Sequence, residues 1–196
     1  MEVSSIRSRA NSFLQDFLVV QKPLFQNSTA SVRAIRWIPP ISPHCKVNFD
    51  VAFFSSEGTA SLGIVICDSS SKVLHALAQQ IVKPTFVAAA KALAYHRAMF
   101  FAKEHRVLDC IFEGDAKVIV QAIRSLDSSH PEYGNVIRDV LQLVNFFSFC
   151  SFSHVKRQGN LVAHCLDRSS KSGCELQVWQ NCVPDDIAPI VICDSL

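Results

Sequence analysis

Hydrophobic positions along the chain change their spacing several times, and each change marks an element. Residues 46–54, 59–67 and 73–82 are apolar runs of strand length. Ser55, Ser56, Glu57 and Gly58 separate the first two, and a polar stretch over residues 68–72 separates the second from the third. Turn chemistry at such short spacing predicts two consecutive hairpins, hence an antiparallel meander. Residues 86–103 are rich in Ala, Leu, Met and Lys and hold no Gly or Pro, which predicts the longest helix. Residues 108–112 form a short apolar strand, and a helix with Val118, Ile119 and Ala122 on one face follows Asp115. Further on, residues 133–147 read as a helix, 149–155 as an alternating strand and 160–170 as a closing helix. The predicted order is β-β-β-α-β-α-α-β-α.

Three early strands with two later ones interleaved with helices describe an α/β fold on a five-stranded mixed sheet, three antiparallel strands followed by two parallel additions, flanked by helices. Pro39 and Pro40 cannot continue a helix and mark the entry to the compact part. The layout is an arm over residues 1–40, a domain over 41–170 and a tail over 171–196 whose Trp179 and apolar residues 187–193 are expected to dock on that domain. With 196 residues and 49% hydrophobic content the chain can bury a core, and no run approaches the length of a membrane span.

Charge changes the picture little. The whole chain carries +2, with six cations against two anions in residues 1–46 and a slightly acidic remainder, so no basic excess by itself announces nucleic acid. The eight cysteines form no C-x-x-C pair, and several lie inside apolar runs, as Cys110 does. They read as buried thiols of a reducing compartment, nucleus or cytoplasm, and the N-terminus shows no secretory pattern. There is no phosphate-binding glycine loop, no H-E-x-x-H and no G-x-S-x-G, and His44 beside Cys45 or His154 with His164 lacks the spacing of a zinc module.

Six stretches in order carry a family resemblance: Trp37-x-Pro-Pro, Lys46-Val-Asn-Phe-Asp50-Val-Ala52, Gly63-Ile-Val-Ile-Cys-Asp68, Ala90-Lys-Ala-Leu-Ala94, Glu113-Gly-Asp115, and His154-Val-Lys-Arg-Gln-Gly-Asn160-Leu-Val-Ala-His164. Together with residues 179–194 they resemble the RNase H-like domains of plant non-LTR retroelements, associated with reverse transcriptases. The resemblance implies the RNase H-like fold, cleavage of RNA in RNA/DNA hybrids, and four carboxylates holding Mg²⁺ or Mn²⁺. Hard cations need several anionic oxygens, and a metal pair activates water and stabilises the leaving oxygen. At the four matching places stand Asp50, Lys91, Asp115 and His164.

Two of the four carboxylates are thus replaced. An ammonium and a divalent ion about 4 Å apart repel by about 8 kcal/mol at an effective dielectric of about 20, so Lys91 opposes metal, and Asp50 with Asp115 would bind it weakly or not at all. His164 is less decisive, because imidazole ligates Mn²⁺ or Zn²⁺. Val51 takes the place of a glycine where backbone should approach a sugar-phosphate strand, and Arg106 that of a helix-ending glycine. Asn160, Arg157 and Lys156, leading into a helix N-terminus, suit phosphate contacts.

Each residue has a plainer reading beside this one. Asp115 is placed to cap a helix as well as to serve a site; Lys91 could point to solvent or pair with the aspartates; His164 could be a hydrogen-bonded residue rather than a ligand. The expected function is a monomeric RNase H-type domain that binds hybrid, with catalysis impaired and, in that case, no cofactor. The alternative is a non-catalytic nucleic-acid- or protein-binding relic of a retroelement.

Overall fold

A computed structural model describes residues 37–169 and 175–194 of the chain. The expected N-terminal arm, up to residue 36, lies outside the described residues. Strands β1 (Cys45–Phe54), β2 (Thr59–Cys67) and β3 (Val73–Val82) form the meander, followed by helix α1 (Val87–Glu104), strand β4 (Asp109–Gly114) and helices α2 (Lys117–Arg124) and α3 (Gly134–Leu143). A 3₁₀ turn, Val144–Phe146, leads to β5 (Phe149–His154); a second, Arg157–Gly159, leads to α4 (Leu161–Ser169). The predicted order holds as far as α4.

The sheet runs β5-β4-β1-β2-β3-β6. β1, β2 and β3 pair antiparallel, while β4 joins β1 and β5 joins β4 in parallel. The expected five strands become six, because Leu176–Gln180 in the tail forms β6 and pairs antiparallel with the outer edge of β3. A last helix, α5 (Ala188–Asp194), follows. Val183 and Ile187 are buried with Ala163 and Leu166 of α4 and with Val65, Val73 and Ala76 of the sheet, so the tail shares an apolar cluster with α4.

Local chemistry explains the turns. Gly58, at φ +64°, supplies the left-handed residue of the first hairpin, where Glu57 N–H donates to Phe54 O at 3.1 Å. In the second, Asp68 Oδ1 accepts from the N–H groups of Ser70 and Lys72 at 2.8 and 3.0 Å, an Asx turn. α1 ends in a Schellman motif: Arg106 N–H donates to Lys103 O and Val107 N–H to Ala102 O, both 3.0 Å. Arg106 sits at φ +58°, the conformation that glycine adopts without cost.

Alternation along β1 sorts its side chains onto two faces. Phe49 turns to α1, its ring meeting Tyr95 edge-on at 4.3 Å. Asn48 and Asp50 turn the other way, toward α4, where they meet Asn160 and His164. Val51 follows Phe49 and is buried, yet it still borders the floor of the cleft described below. The approach of α4 depends on Gly63 of β2: a Cβ there would lie 2.2 Å from Ala163 O and 2.4 Å from Asp167 N. Because Gly63 is the register partner of Asp50, this close packing sets the middle of α4 beside the first aspartate.

Candidate active site

Parallel pairing of β1 with β4 brings Asp50, within β1, beside Asp115, the first residue after β4. Lys91 reaches them from the second turn of α1. Its Nζ donates to Asp50 Oδ1 at 2.6 Å and to Asp115 Oδ1 at 2.5 Å. The side chains of Asp50 and Lys91 are 5% and 17% exposed, so that ion pair is shielded from water, while Asp115 is 26% exposed. Burial alone would lower the Lys91 pKa, but the Asp50 charge and hydrogen bonds to both aspartates outweigh it and hold the ammonium above its usual range. Lys91 therefore pairs with the aspartates and does not point to solvent. Asp115 spends its carboxylate on Lys91, and α2 has no side-chain cap, so the capping role is not what the structure shows.

His164, on the second turn of α4, approaches Asp50 from the opposite side. Its Nδ1 stands 3.1 Å from Asp50 Oδ2, and its Nε2 meets Arg157 Nη2 at 2.5 Å. Burial lowers the His164 pKa, Asp50 partly restores it and Arg157 adds to the lowering, leaving a net depression. A guanidinium only donates, so Nε2 accepts and the neutral ring carries its proton on Nδ1, toward Asp50.

The structure adds two residues that sequence reasoning did not select, Arg168 in the cleft lining and Asp167 beside His164. Asp167, one turn beyond His164, is fully buried, with Oδ2 3.5 Å from His164 Nδ1 and neither carboxylate oxygen in a hydrogen bond. Burial, reinforced by the Asp50 charge, pushes its pKa up to about 8. The only trace in the sequence is an Asp at i+3 from His164, which on an amphipathic helix reads as a solvent-facing residue.

The three residues expected to touch phosphate divide. Lys156 and Arg157 are exposed, and Arg157 lines the site with Arg168. Asn160 is 2% exposed and turned inward: its Nδ2 donates to Phe49 O at 3.0 Å and its Oδ1 accepts from Asn48 at 3.1 Å. That corrects the expectation of a phosphate contact through its amide, which instead fastens α4 to β1. The same buried network holds Trp37, whose Nε1 donates to Asn48 Oδ1 at 2.7 Å, and Lys46, which pairs with Glu113 at 3.1 Å. Glu113 in turn accepts from Ser153 at 3.0 Å. Trp37, Asn48, Glu113 and Asn160, each within one of the motif stretches, brace the strands beneath the aspartates.

Asp50, Lys91, Asp115, His164, Arg157 and Arg168 open onto one cleft of about 590 Å³ whose floor is the end of β1, residues 51–54. The profile of the family described as "Reverse transcriptase-like" matches residues 48–170, which span that cleft and the strands beneath it. The chain belongs to the reverse transcriptase-like family. Among solved structures, the fold of this family member is similar to that of RNase H1 from the halophilic archaeon Halobacterium salinarum (20% identity, 67% of this chain and 99% of that one, TM-score 0.61). It is also similar to the N-terminal RNase H domain of a Mycobacterium tuberculosis protein (19%, 65% and 92%, 0.58) and to LC11-RNase H1, solved with an RNA/DNA hybrid (19%, 64% and 94%, 0.56). LC11-RNase H1 was isolated from compost by a metagenomic approach. The fold is thus RNase H-like. No curated protein matches the chain.

A metal pair of the kind the resemblance implies would need the facing oxygens of Asp50 and Asp115. Both Oδ1 atoms hold Lys91 Nζ. The residues between the two aspartates do not fit such a pair: a cation is already covalently part of the chain there, and the one carboxylate on α1, Glu104, sits at the far end of the helix, paired with Arg97.

Proposed function

We propose that this chain is an RNase H-type domain of the plant non-LTR retroelement branch that binds RNA/DNA hybrid in the Asp50–Asp115 cleft and has lost metal-dependent cleavage. The observation that carries the reading is the Lys91 ammonium, 2.6 and 2.5 Å from the two aspartates. In an active member of the branch, carboxylates at these places would gather cations. Here Lys91 satisfies Asp50 and Asp115 permanently, and its charge repels a divalent ion from the same point.

The remaining cleft suits binding without turnover. Arg157 and Arg168 line it and Lys156 stands exposed beside Arg157, cations suited to the sugar-phosphate backbone, while Phe53 and Phe54 give the floor apolar surface. LC11-RNase H1, whose fold this chain shares, was solved in complex with an RNA/DNA hybrid. A reducing compartment accords with the burial of Cys67, Cys110 and Cys150, although Cys182 is exposed where burial was expected.

The direct test is binding of a labelled hybrid in chelator-containing buffer, by fluorescence anisotropy, with duplex DNA and duplex RNA as competitors. Hybrid binding that needs no divalent ion and weakens in Arg157→Ala with Lys156→Ala supports the reading. Equal or absent binding of all three duplexes contradicts it.

A further inference from the structure

The sheet ends in two edges, and they are finished differently. At one, Arg124, the last residue of α2, donates through Nε to Phe152 O of β5 at 3.1 Å, a charged side chain laid across the strand. At the other stands β6, which among the described residues pairs with β3 on one side only. Asn181 N–H donates to Leu74 O at 2.9 Å, and Gln80 N–H donates to Glu175 O at 2.8 Å. In an antiparallel ladder, residues that bond the neighbouring strand alternate with residues that do not. Gln177 and Trp179 therefore share the ladder with β3, in phase with Glu175 and Asn181. Leu176, Val178 and Gln180 turn their N–H and C=O groups to the outer edge.

The side chains of this edge are unguarded too. Leu176, Val178 and Gln180 are exposed, Leu176 by 51% and Val178 by 48%. Trp179, on the opposite face, packs against the apolar cluster shared by α4 and the tail and anchors the strand. Proteins that keep such an edge unpaired place lysine, proline or a bulge on it. Residues 176–180 carry no charge and no proline, and their register against β3 runs without a shift.

We propose that β6 is an association edge at which two copies of this chain pair antiparallel about a two-fold axis through Val178, in place of the monomer expected from the sequence. The strand fits its own copy. In that register Val178 faces Val178, Leu176 faces Gln180 and Gln177 faces Trp179, so each outward N–H meets a carbonyl. Glu175, the nearest charge in the chain, comes opposite Asn181 and not another acid, so the pairing sets no like charges against each other. The two sheets become continuous, and backbone groups that otherwise depend on water are paired. The edge is five residues long, small beside the about 1,200 Å² of a standard interface, so the dimer dissociates on dilution. It lies apart from the cleft, which none of residues 176–180 lines.

Sedimentation equilibrium of the whole chain in reducing buffer, from micromolar to near-millimolar concentration, tests this. A monomer–dimer equilibrium is expected. Val178→Pro removes an outward N–H without touching a bond to β3, and Val178→Lys sets two like charges face to face. Each abolishes the dimer, with folding checked by circular dichroism. Val118→Lys, which replaces a comparably exposed valine on α2, leaves it unchanged. The register is read by Val178→Cys with Cys182→Ser: the facing Cα atoms stand about 5.5 Å apart, within disulfide reach. Oxidised glutathione then gives a disulfide-linked dimer and two reduced glutathiones, whereas Gln180→Cys with Cys182→Ser, facing Leu176, gives little. A monomer at every concentration, a dimer that survives either Val178 change or is lost in Val118→Lys, or equal cross-linking at 178 and 180 overturns the proposal.

Discussion

Lys91 is the residue on which stability and chemistry meet. Removing one partner of a shielded ion pair leaves the others uncompensated, and in Lys91→Met both Asp50 and Asp115 lose their counter-ion. The variant should be destabilised by about 2–3 kcal/mol at pH 7, read from denaturant melts. The folded-state pKa of Lys91 is raised, so its contribution is fully present below the unfolded value of 10.5 and is lost as pH rises through the higher folded value. The gap between parent and variant should therefore be constant through neutral pH and close above about pH 10.5. A gap that instead closes in mildly alkaline solution, near pH 8, would show that Lys91 is not held as an ammonium by the aspartates. Asp167 marks the limit of reading single residues: its identity is plain in the sequence, but its burial depends on a glycine a hundred residues away.

That glycine acts at the level of packed elements. Gly63 lets the α4 backbone lie directly on β2, and a methyl group at 2.2 Å from a carbonyl oxygen cannot be absorbed by a flexible side chain. Gly63→Ala should cost about 2–3 kcal/mol and displace His164 and Asp167 from Asp50, visible as changed histidine chemical shifts on acid titration. Unchanged stability would mean that α4 stands farther off. The opposite sign is expected at Arg106, which holds a left-handed φ at the end of α1. Arg106→Gly should raise stability by about 0.5–1 kcal/mol, the strain relieved less the entropy glycine adds to the unfolded chain.

Elements were the most legible part of the sequence. Three meander strands, the Ala-rich helix and the parallel additions follow from hydrophobic spacing and turn residues that local physics dictates. β6 did not, because its alternation is inverted. Leu176 and Val178 are exposed while Gln177 and Trp179 are the partly covered set, so apolar spacing carries no sign of which face is packed. Only the free edge of β3 decides it. At the site, Asp50, Lys91, Asp115 and His164 converge as their motifs imply. Asn160 was misread because a polar residue before a helix is equally suited to solvent and to a buried brace, and only tertiary contact chooses.

Across the molecule, a net charge of +2 gives little long-range pull on a polyanion, so affinity must come from the few cations at the cleft. Each phosphate contact removed should lower the slope of log affinity against log salt by about 1. Arg157→Ala and Lys156→Ala are each expected to weaken hybrid binding at low salt and to flatten that slope, whereas Lys103→Ala, whose ammonium lies over the Phe146 ring and lines no part of the cleft, should do neither. Equal effects at all three positions would indicate diffuse attraction rather than a cleft.

The central claim is that a tethered ammonium has taken the place of catalytic metal. Cleavage of a labelled RNA/DNA hybrid in Mg²⁺ and in Mn²⁺ tests it most directly, comparing the parent with Lys91→Glu/His164→Asp, each with and without Asp50→Asn. The account predicts no Asp50-dependent cleavage by the parent and measurable, Asp50-dependent cleavage by the double variant, because the change removes the ammonium and adds two oxygen ligands. Parent cleavage as fast as that of the double variant, and abolished by Asp50→Asn, would contradict it.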